Sequence, residues 1–222
     1  MIISVIRKGD FLKMSTIDDL FKKIASGSSN AAGKPEYIVA GLGNPGREYE
    51  DTRHNAGFLA IDYVAEKLSV RINRAKYNAL CAEAKIGDKN VLLMKPQTYM
   101  NLSGTSVCEA AAFYKIPTDH ILILCDDITQ NPGKLRIRKS GSAGGHNGLK
   151  NIIEYGGSDK FPRIRIGVGA KPTPEYDLAA WVTGKMPAED KKAIEARFSD
   201  IEKAIPLVLS GEIDKAMCLY NG

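Results

Sequence analysis

The sequence predicts an α/β fold, namely a single domain with a mixed, mostly parallel, twisted sheet and helices on both faces. Short apolar runs typical of buried strands alternate along the chain with segments in which apolar residues recur every three or four positions, as in amphipathic helices. The 222 residues, 44% of them hydrophobic, are sufficient for one large core. No apolar run is long enough for a membrane-spanning helix, so we expect no membrane partner.

Residues 1–36 are predicted to form an extension that is separate from the domain at residues 37–222. Four apolar residues of the extension have the spacing of one face of a short amphipathic helix: Ile17, Leu20, Phe21 and Ile24. The polar segment 26–36 has the composition of a linker. The acidic residues and the short apolar start of the extension do not fit a secretory signal or a transit peptide.

Five strands are predicted in the domain. Three are continuous apolar runs, as expected for strands that are buried on both faces, at residues 37–42, 91–94 and 121–125. Two alternate polar and apolar residues, at 134–138 and 163–169.

Four helices are predicted between and after these strands. The first covers 58–68, where apolar residues lie three or four positions apart. The second and third cover 103–115 and 149–155. A longer helix is predicted over 187–205, with Pro187 in its first turn.

The basic residues concentrate in one part of the chain. Residues 133–165 contain eight lysines and arginines against two acids, a net charge of +6, whereas the whole chain carries +5. Such a concentration favours a polyanionic partner, nucleic acid above all, although a solvated basic face is the other interpretation. Lys134, Arg136 and Arg138 alternate with apolar residues, so a strand would present all three cations on one face.

The four cysteines are widely spaced and form no CxxC pair. This spacing disfavours a zinc site or a disulfide framework, and it fits a protein of the reducing cytoplasm. Cys125 ends an apolar run, where a cysteine is more typically a small buried hydrophobe than a nucleophile.

The segment 41–46, GLGNPG, matches the GxGxxG pattern of dinucleotide-binding proteins and follows a predicted strand. In such proteins the last glycine opens an apolar helix that receives the pyrophosphate. Here nine polar or charged residues follow instead, which disfavours this site. A dinucleotide-dependent oxidoreductase stays open as an alternative, and binding of a nicotinamide or flavin cofactor would reveal it.

Polar side chains collect in the loops at the predicted strand ends. They comprise a histidine in TRHNAG, two carboxylates after ILILC, and amides in three loops. A histidine base, a carboxylate that orients it and amides that stabilise an oxyanion are suited to hydrolysis of an activated acyl bond. The polar residues of these strand-end loops are His54, Asp126, Asp127, Asn44, Asn101, His146 and Asn147. A metal site built from the acids and histidines is the weaker alternative, because no HxxxH or HxH spacing supports it.

Five segments resemble, in order, the signature segments of bacterial-type peptidyl-tRNA hydrolases. They are IVAGLGNPGREYEDTRHNAGF, LLMKPQTYMNLSG, ILILCDDI, GSAGGHNGLKNII and FPRIRIGVG, and the likeness extends from about Tyr37 to Met186. The resemblance implies hydrolysis of the ester between a peptide and the 3′-terminal ribose of tRNA, which recycles tRNA from aborted translation. It also implies a single α/β domain that needs no metal or organic cofactor, and we expect a monomer.

The resemblance assigns roles to individual residues. His54 matches the catalytic base, and Asp126 matches its carboxylate partner. The positions that match substrate contacts are Asn44, Tyr49, Tyr99, Asn101, His146 and Asn147. Arg136, Arg138 and Arg165 match basic residues that contact tRNA phosphates, and Lys134 joins them by its position on the same strand face. One departure is Thr129, where members of the family often have a second aspartate.

A non-catalytic RNA-binding protein on the same scaffold is the main alternative from another functional class. Binding alone would need only the basic face, so the joint presence of His54, Asp126 and the three asparagines favours an enzyme.

Overall fold

The computed structural model describes residues 33–222. The predicted amphipathic helix at 17–24 and most of the predicted linker lie outside the described residues, so the division at residue 36 stays a prediction. The described residues belong to a single compact unit.

One seven-stranded sheet forms the centre of the domain. Its strands are β1 (Tyr37–Gly41), β2 (Arg74–Lys76), β3 (Ala79–Ile86), β4 (Lys89–Pro96), β5 (Ile121–Asp127), β6 (Leu135–Arg138) and β7 (Arg163–Gly167). The strand order is β2-β3-β4-β1-β5-β7-β6. The four central strands β4, β1, β5 and β7 are parallel, whereas β2, β3 and β6 are antiparallel to their neighbours. The prediction of a mixed sheet with a parallel centre is confirmed.

Seven α-helices connect or follow the strands in the described residues. They are α1 (Ala56–Lys67), α2 (Ser103–Tyr114), α3 (Asn147–Gly156), α4 (Leu178–Thr183), α5 (Ala188–Glu195), α6 (Phe198–Leu209) and α7 (Ile213–Tyr220). Single 3-10 turns occur at Arg47–Tyr49, Arg53–Asn55, Met100–Leu102 and Thr118–His120. No helix in this part of the chain combines the length and apolar character needed to cross a membrane.

The helices cover both faces of the sheet, as predicted, because successive side chains of a strand point to opposite faces. Val39 in β1 packs with Ile61 of α1 and Ile205 of α6 in one core cluster. Its neighbour Ile38 packs in the other cluster, which contains Val107 of α2. All of these side chains are fully buried.

The prediction of one long helix over 187–205 is wrong in one respect. The segment forms two helices, α5 and α6, with a break between them. The break lies at Arg197, whose guanidinium donates hydrogen bonds to the carbonyl oxygens of Gly133 at 3.2 Å and Tyr220 at 3.1 Å. These acceptors lie on distant parts of the chain. Helical periodicity within the segment therefore carries no sign of the break.

The start of α1 is pressed against the sheet at a glycine. A Cβ atom at Gly57 would lie 2.6 Å from the backbone nitrogen of Leu42, so only glycine allows this approach. Phe58 N–H donates to Leu42 O at 3.1 Å, and Leu42 N–H donates to Leu124 O at 2.9 Å. These contacts fix the start of α1, and the turn that precedes it, above the carboxyl ends of β1 and β5.

Candidate active site

A pocket of about 550 Å³ lies at the carboxyl ends of the central strands. Open parallel sheets commonly bind ligands at this edge. The structure brings the following predicted site residues together around the pocket: Asn44, His54, Tyr99, Asn101, Asp126, His146, Asn147 and Arg165. Tyr49 does not line the pocket, but its ring packs edge-on against Tyr99 with the ring centroids 6.4 Å apart.

Two histidines share one carboxylate oxygen at the base of the pocket. His54 Nδ1 lies 2.7 Å and His146 Nε2 lies 3.0 Å from the same atom, Asp126 Oδ1. His146 Nδ1 accepts the backbone N–H groups of Gly148 and Leu149 at 3.1 and 3.2 Å. His146 therefore carries its proton on Nε2 and donates it to Asp126.

The same oxygen fixes the tautomer of His54. A carboxylate can only accept, so Nδ1 of His54 carries a proton and Nε2 keeps its lone pair. Nε2 has no hydrogen-bond partner among residues 33–222, and His54 lines the pocket. The imidazole is thus arranged to accept a proton from a molecule in the pocket.

Asp126 is ionised in this setting. It is 2% exposed, and burial by itself would raise the pKa of its carboxyl group. The adjacent His54 and His146 oppose that effect and hold the pKa of Asp126 well below its usual range. The carboxylate is therefore available to stabilise positive charge on His54.

The residues on either side of His54 hold its turn in place. The Arg53 guanidinium stacks on the Trp181 ring at 3.5 Å and lies 3.2 Å from Lys185 O, which ties the turn to α4 and the segment after it. On the other side, the Asn55 amide accepts Asn44 N–H at 2.8 Å and donates to Asn44 O at 3.0 Å. The TRHNAG segment thus connects the histidine to both walls of the pocket.

Asn44 presents an amide donor to the pocket. Its Oδ1 accepts the Met100 backbone N–H at 2.8 Å, and this bond fixes the side-chain orientation. The NH₂ group has no hydrogen-bond partner among residues 33–222. Asn101 and Asn147 are exposed at the rim, where each lies at or just before the start of a helix.

Part of the pocket wall is apolar. Leu178, Ala179 and Val182 of α4 line it. Asp177 caps this helix by accepting the Ala179 N–H at 2.6 Å. Nothing in the sequence patterns predicted α4, so this wall was missed.

Comparisons with known proteins agree with this geometry. The family model described as peptidyl-tRNA hydrolase matches residues 38–222. The chain belongs to the peptidyl-tRNA hydrolase family. It is 48% identical over 186 residues to the peptidyl-tRNA hydrolase of Agathobacter rectalis, covering 83% of this chain and 100% of that protein. It is 47% identical to the protein of that name from Clostridium perfringens, covering 83% and 97%.

A solved structure extends the likeness to the fold. The crystal structure of peptidyl-tRNA hydrolase from Acinetobacter baumannii superimposes with a TM-score of 0.78 at 34% sequence identity, covering 83% of this chain and 95% of that chain. The predicted family and fold are therefore confirmed.

The basic strand of this family member has the predicted orientation. Leu135 and Ile137 are buried, whereas Lys134 and Arg138 are exposed and Arg136 is partly exposed. Arg138 has no carboxylate partner among residues 33–222. The cations of β6 thus face solvent on one side of an edge strand.

Asp127 neutralises part of this basic surface. Its buried carboxylate lies 3.1 Å from Arg165 Nε and 3.4 Å from Arg136 Nη1. Thr129 donates to the other oxygen of Asp127 from both its backbone N–H, at 2.9 Å, and its hydroxyl, at 2.7 Å. Thr129 therefore helps to hold the carboxylate between the two arginines.

The charge of the 133–165 segment overstates its surface charge. Arg163 is 2% exposed, and its guanidinium donates to the carbonyl oxygens of Phe161 at 3.0 Å, Gly141 at 2.6 Å and Asp159 at 3.0 Å. Arg163 is therefore an internal support for the glycine-rich loop that leads to His146. A sequence alone does not separate such a buried cation from an exposed one.

The alternative sites find less support in the geometry. A 3-10 turn, not an α-helix, follows GLGNPG, so the helix that a dinucleotide site requires is missing there. Cys125 is fully buried, and burial raises the pKa of its thiol, which disfavours the nucleophilic thiolate.

The donor atoms of His54, Asp126 and His146 lie within 4.8 Å of one another, a spacing that a metal ion could use. The hydrogen bonds do not suit it. A metal on His146 Nε2 would place the ring proton on Nδ1, where two backbone N–H groups already point.

Proposed function

We propose that this chain hydrolyses the ester between a peptide and the 3′-terminal ribose of tRNA, and so recycles tRNA from aborted translation. The observation that carries the proposal is the 2.7 Å hydrogen bond between His54 and Asp126, at the base of a pocket lined by three asparagines. Membership of the peptidyl-tRNA hydrolase family supports this choice of substrate.

In the proposed reaction, Nε2 of His54 removes a proton from a water molecule as the water oxygen attacks the ester carbonyl carbon. Asp126 stabilises the imidazolium that forms. The tetrahedral intermediate then collapses, the bond to the ribose oxygen breaks, and that oxygen takes the proton from His54. The products are a peptide with a free carboxyl group and a tRNA with a free 3′-terminal hydroxyl.

The amides and the basic residues bind different parts of the substrate. Asn44, Asn101 and Asn147 bind the peptide and position the water and the ester, and an N–H donor among them is suited to the oxyanion. Tyr99 forms the rim with Tyr49 behind it, and His146 holds Asp126. Lys134, Arg136, Arg138 and Arg165 contact tRNA phosphates, to which arginine can bond through two N–H groups.

The proposed reaction uses no metal and no organic cofactor, since a histidine base and amide donors supply its chemistry. We also propose that the enzyme acts as a monomer in the cytoplasm. The free state of Cys81, Cys108, Cys125 and Cys218 fits a reducing compartment.

Hydrolysis of a peptidyl-tRNA in the presence of a metal chelator tests the proposal. We expect turnover by the wild-type protein, and a loss of kcat of at least about 10²-fold in His54→Ala, with tRNA binding retained. Added imidazole should restore part of the activity of His54→Ala, because a small base can enter the space that the side chain leaves. Activity of His54→Ala within a few-fold of wild type would contradict the assigned role.

The same assay decides the alternative of a non-catalytic RNA-binding protein. That alternative requires tRNA binding without any ester cleavage. It gives no reason for the bond between His54 and Asp126 inside the pocket.

A further inference from the structure

A second pocket lies at the other end of the sheet from the candidate active site. Its volume is about 550 Å³, and the amino ends of the central strands line it. Tyr37 begins β1, His120 directly precedes β5 and Pro162 directly precedes β7. β5 has seven residues, so at roughly 3.3 Å per residue the two pockets are about 20 Å apart.

The rim of this amino-end pocket is basic. Lys139 and Lys160 are exposed, line the pocket, and have no ion-pair partner among residues 33–222. Lys89 also lines it but already pairs with Asp88 at 3.2 Å. Asp119 is the one acid among the lining residues. The pocket therefore offers an anion two lysines that have no ion-pair partner among residues 33–222.

One wall of the pocket is aromatic. The rings of Tyr37 and His120 stack with their centroids 4.2 Å apart and their planes within 10°. His120 Nδ1 lies 3.1 Å from Glu36 O, which fixes the ring in this position. Buried Leu209 and Ile213 also line the pocket and give it apolar surface. Aromatic rings beside basic side chains can bind an unpaired nucleic-acid base and its phosphate.

The basic strand β6 leads from one pocket to the other. β6 is antiparallel to β7. Leu135 pairs with Ile166 near the carboxyl end of β7, and Arg138 pairs with Arg163 at the amino end of β7. The chain then continues directly into Lys139 and Ser140, which line the amino-end pocket. Arg136, Arg138 and Lys139 therefore lie along the edge of the sheet between the two sites.

We propose that the amino-end pocket binds a nucleotide of the tRNA that lies away from the 3′-terminal residue. Its phosphate contacts Lys139 and Lys160, and its base packs against the Tyr37–His120 pair. The inference rests on the proposed function, because it takes tRNA as the partner. A site about 20 Å from the ester contributes to tRNA affinity and leaves the chemical step unaffected.

The test is the affinity of the full chain for uncharged tRNA, measured at several salt concentrations. The double variant Lys139→Gln/Lys160→Gln removes the two charges and keeps the side-chain length. The matched control is Arg71→Gln/Arg74→Gln, which removes two exposed cations at or near β2, on the opposite edge of the sheet. We expect a roughly tenfold loss of affinity per phosphate contact at 0.1 M salt, and a log–log salt slope that falls by up to about one unit per contact. The control should keep the wild-type values, and Lys139→Arg/Lys160→Arg should retain affinity.

Two results would overturn the inference. One is a tRNA affinity and salt slope in the lysine variant equal to those of the control. The other is tight, lysine-dependent binding of a nucleoside monophosphate with tRNA affinity unchanged, which would identify a small-molecule site. The binding assay involves no cleavage, so a wild-type protein that binds tRNA through these lysines but hydrolyses no ester would contradict the proposed function alone.

Discussion

Replacing Asp126 by asparagine tests the central feature of the candidate site. The change keeps an acceptor oxygen at the position of Oδ1, to which His54 and His146 both donate. Asparagine should therefore preserve the tautomer and orientation of both rings. What it removes is the negative charge that faces His54 when the imidazolium forms.

The size of the effect follows from the geometry. Charges whose centres lie about 4 Å apart interact by about 4 kcal/mol at an effective dielectric constant of 20. Solvent in the pocket reduces this value, so we expect a loss of about 2 to 4 kcal/mol in the transition state. This corresponds to a decrease in kcat of about 30- to 1000-fold.

The assay is kcat for peptidyl-tRNA hydrolysis, with binding of uncharged tRNA measured alongside. Binding of tRNA should be retained in Asp126→Asn, because the expected loss lies in the transition state. Asp127→Asn is the matched control: this buried acid contacts arginines, so its loss should change KM and leave kcat largely unchanged. A decrease in kcat of less than tenfold in Asp126→Asn would refute the reasoning.

Four further predictions concern stability and binding. The pKa of Asp126 is lowered in the folded protein, so its carboxylate stabilises the fold at pH values above its ordinary pKa of about 4. This contribution is lost as the pH falls below that value. The free energy of unfolding should therefore decline less in Asp126→Asn than in wild type between about pH 5 and 3. Arg136→Gln/Arg138→Gln should raise KM for peptidyl-tRNA with kcat retained, and it should flatten the salt dependence of KM. An equal rise in KM for a peptidyl ester of a single nucleoside would contradict the phosphate contact. Gly57→Ala should lower the free energy of unfolding by about 1 to 3 kcal/mol and reduce kcat, and Gly156→Ala, where a Cβ meets nothing closer than 3.5 Å, should leave both unchanged. Arg53→Lys keeps the charge but loses the planar stack on Trp181, so both the melting temperature and kcat should fall; wild-type values for both would show that the stack does not support the His54 turn.

The sequence predicted the features that depend on local pattern. The apolar runs at 37–42 and 121–125 identified the central strands, because a parallel strand that is buried on both faces consists almost entirely of apolar residues. The polar residues that follow those strands had to meet at one edge of the sheet, and Asn44, His54 and Asp126 do so.

Features that depend on distant contacts were not predicted. β3 (ALCAEAKI) is rich in residues with weak strand preference, and it is a strand because it pairs along its length with β4. His146 was placed beside the site, but its hydrogen bond to Asp126 depends on two backbone N–H groups at the start of α3. Arg53 had no visible signal, since its partners Trp181 and Lys185 lie far along the chain.

The two edges of the sheet are protected against pairing with another chain in different ways. An exposed edge strand can template intermolecular sheet growth, and proteins resist this with charge or by covering the edge. β2 relies on charge, since all three of its residues are exposed and two of them are Arg74 and Lys76. β6 is covered, because Asn221 Oδ1 accepts Ile137 N–H at 2.6 Å and Gly222 N–H donates to Leu135 O at 3.1 Å. Protection of this edge therefore does not depend on the cations of β6. Neutralising these cations should leave the resistance of the protein to aggregation unchanged.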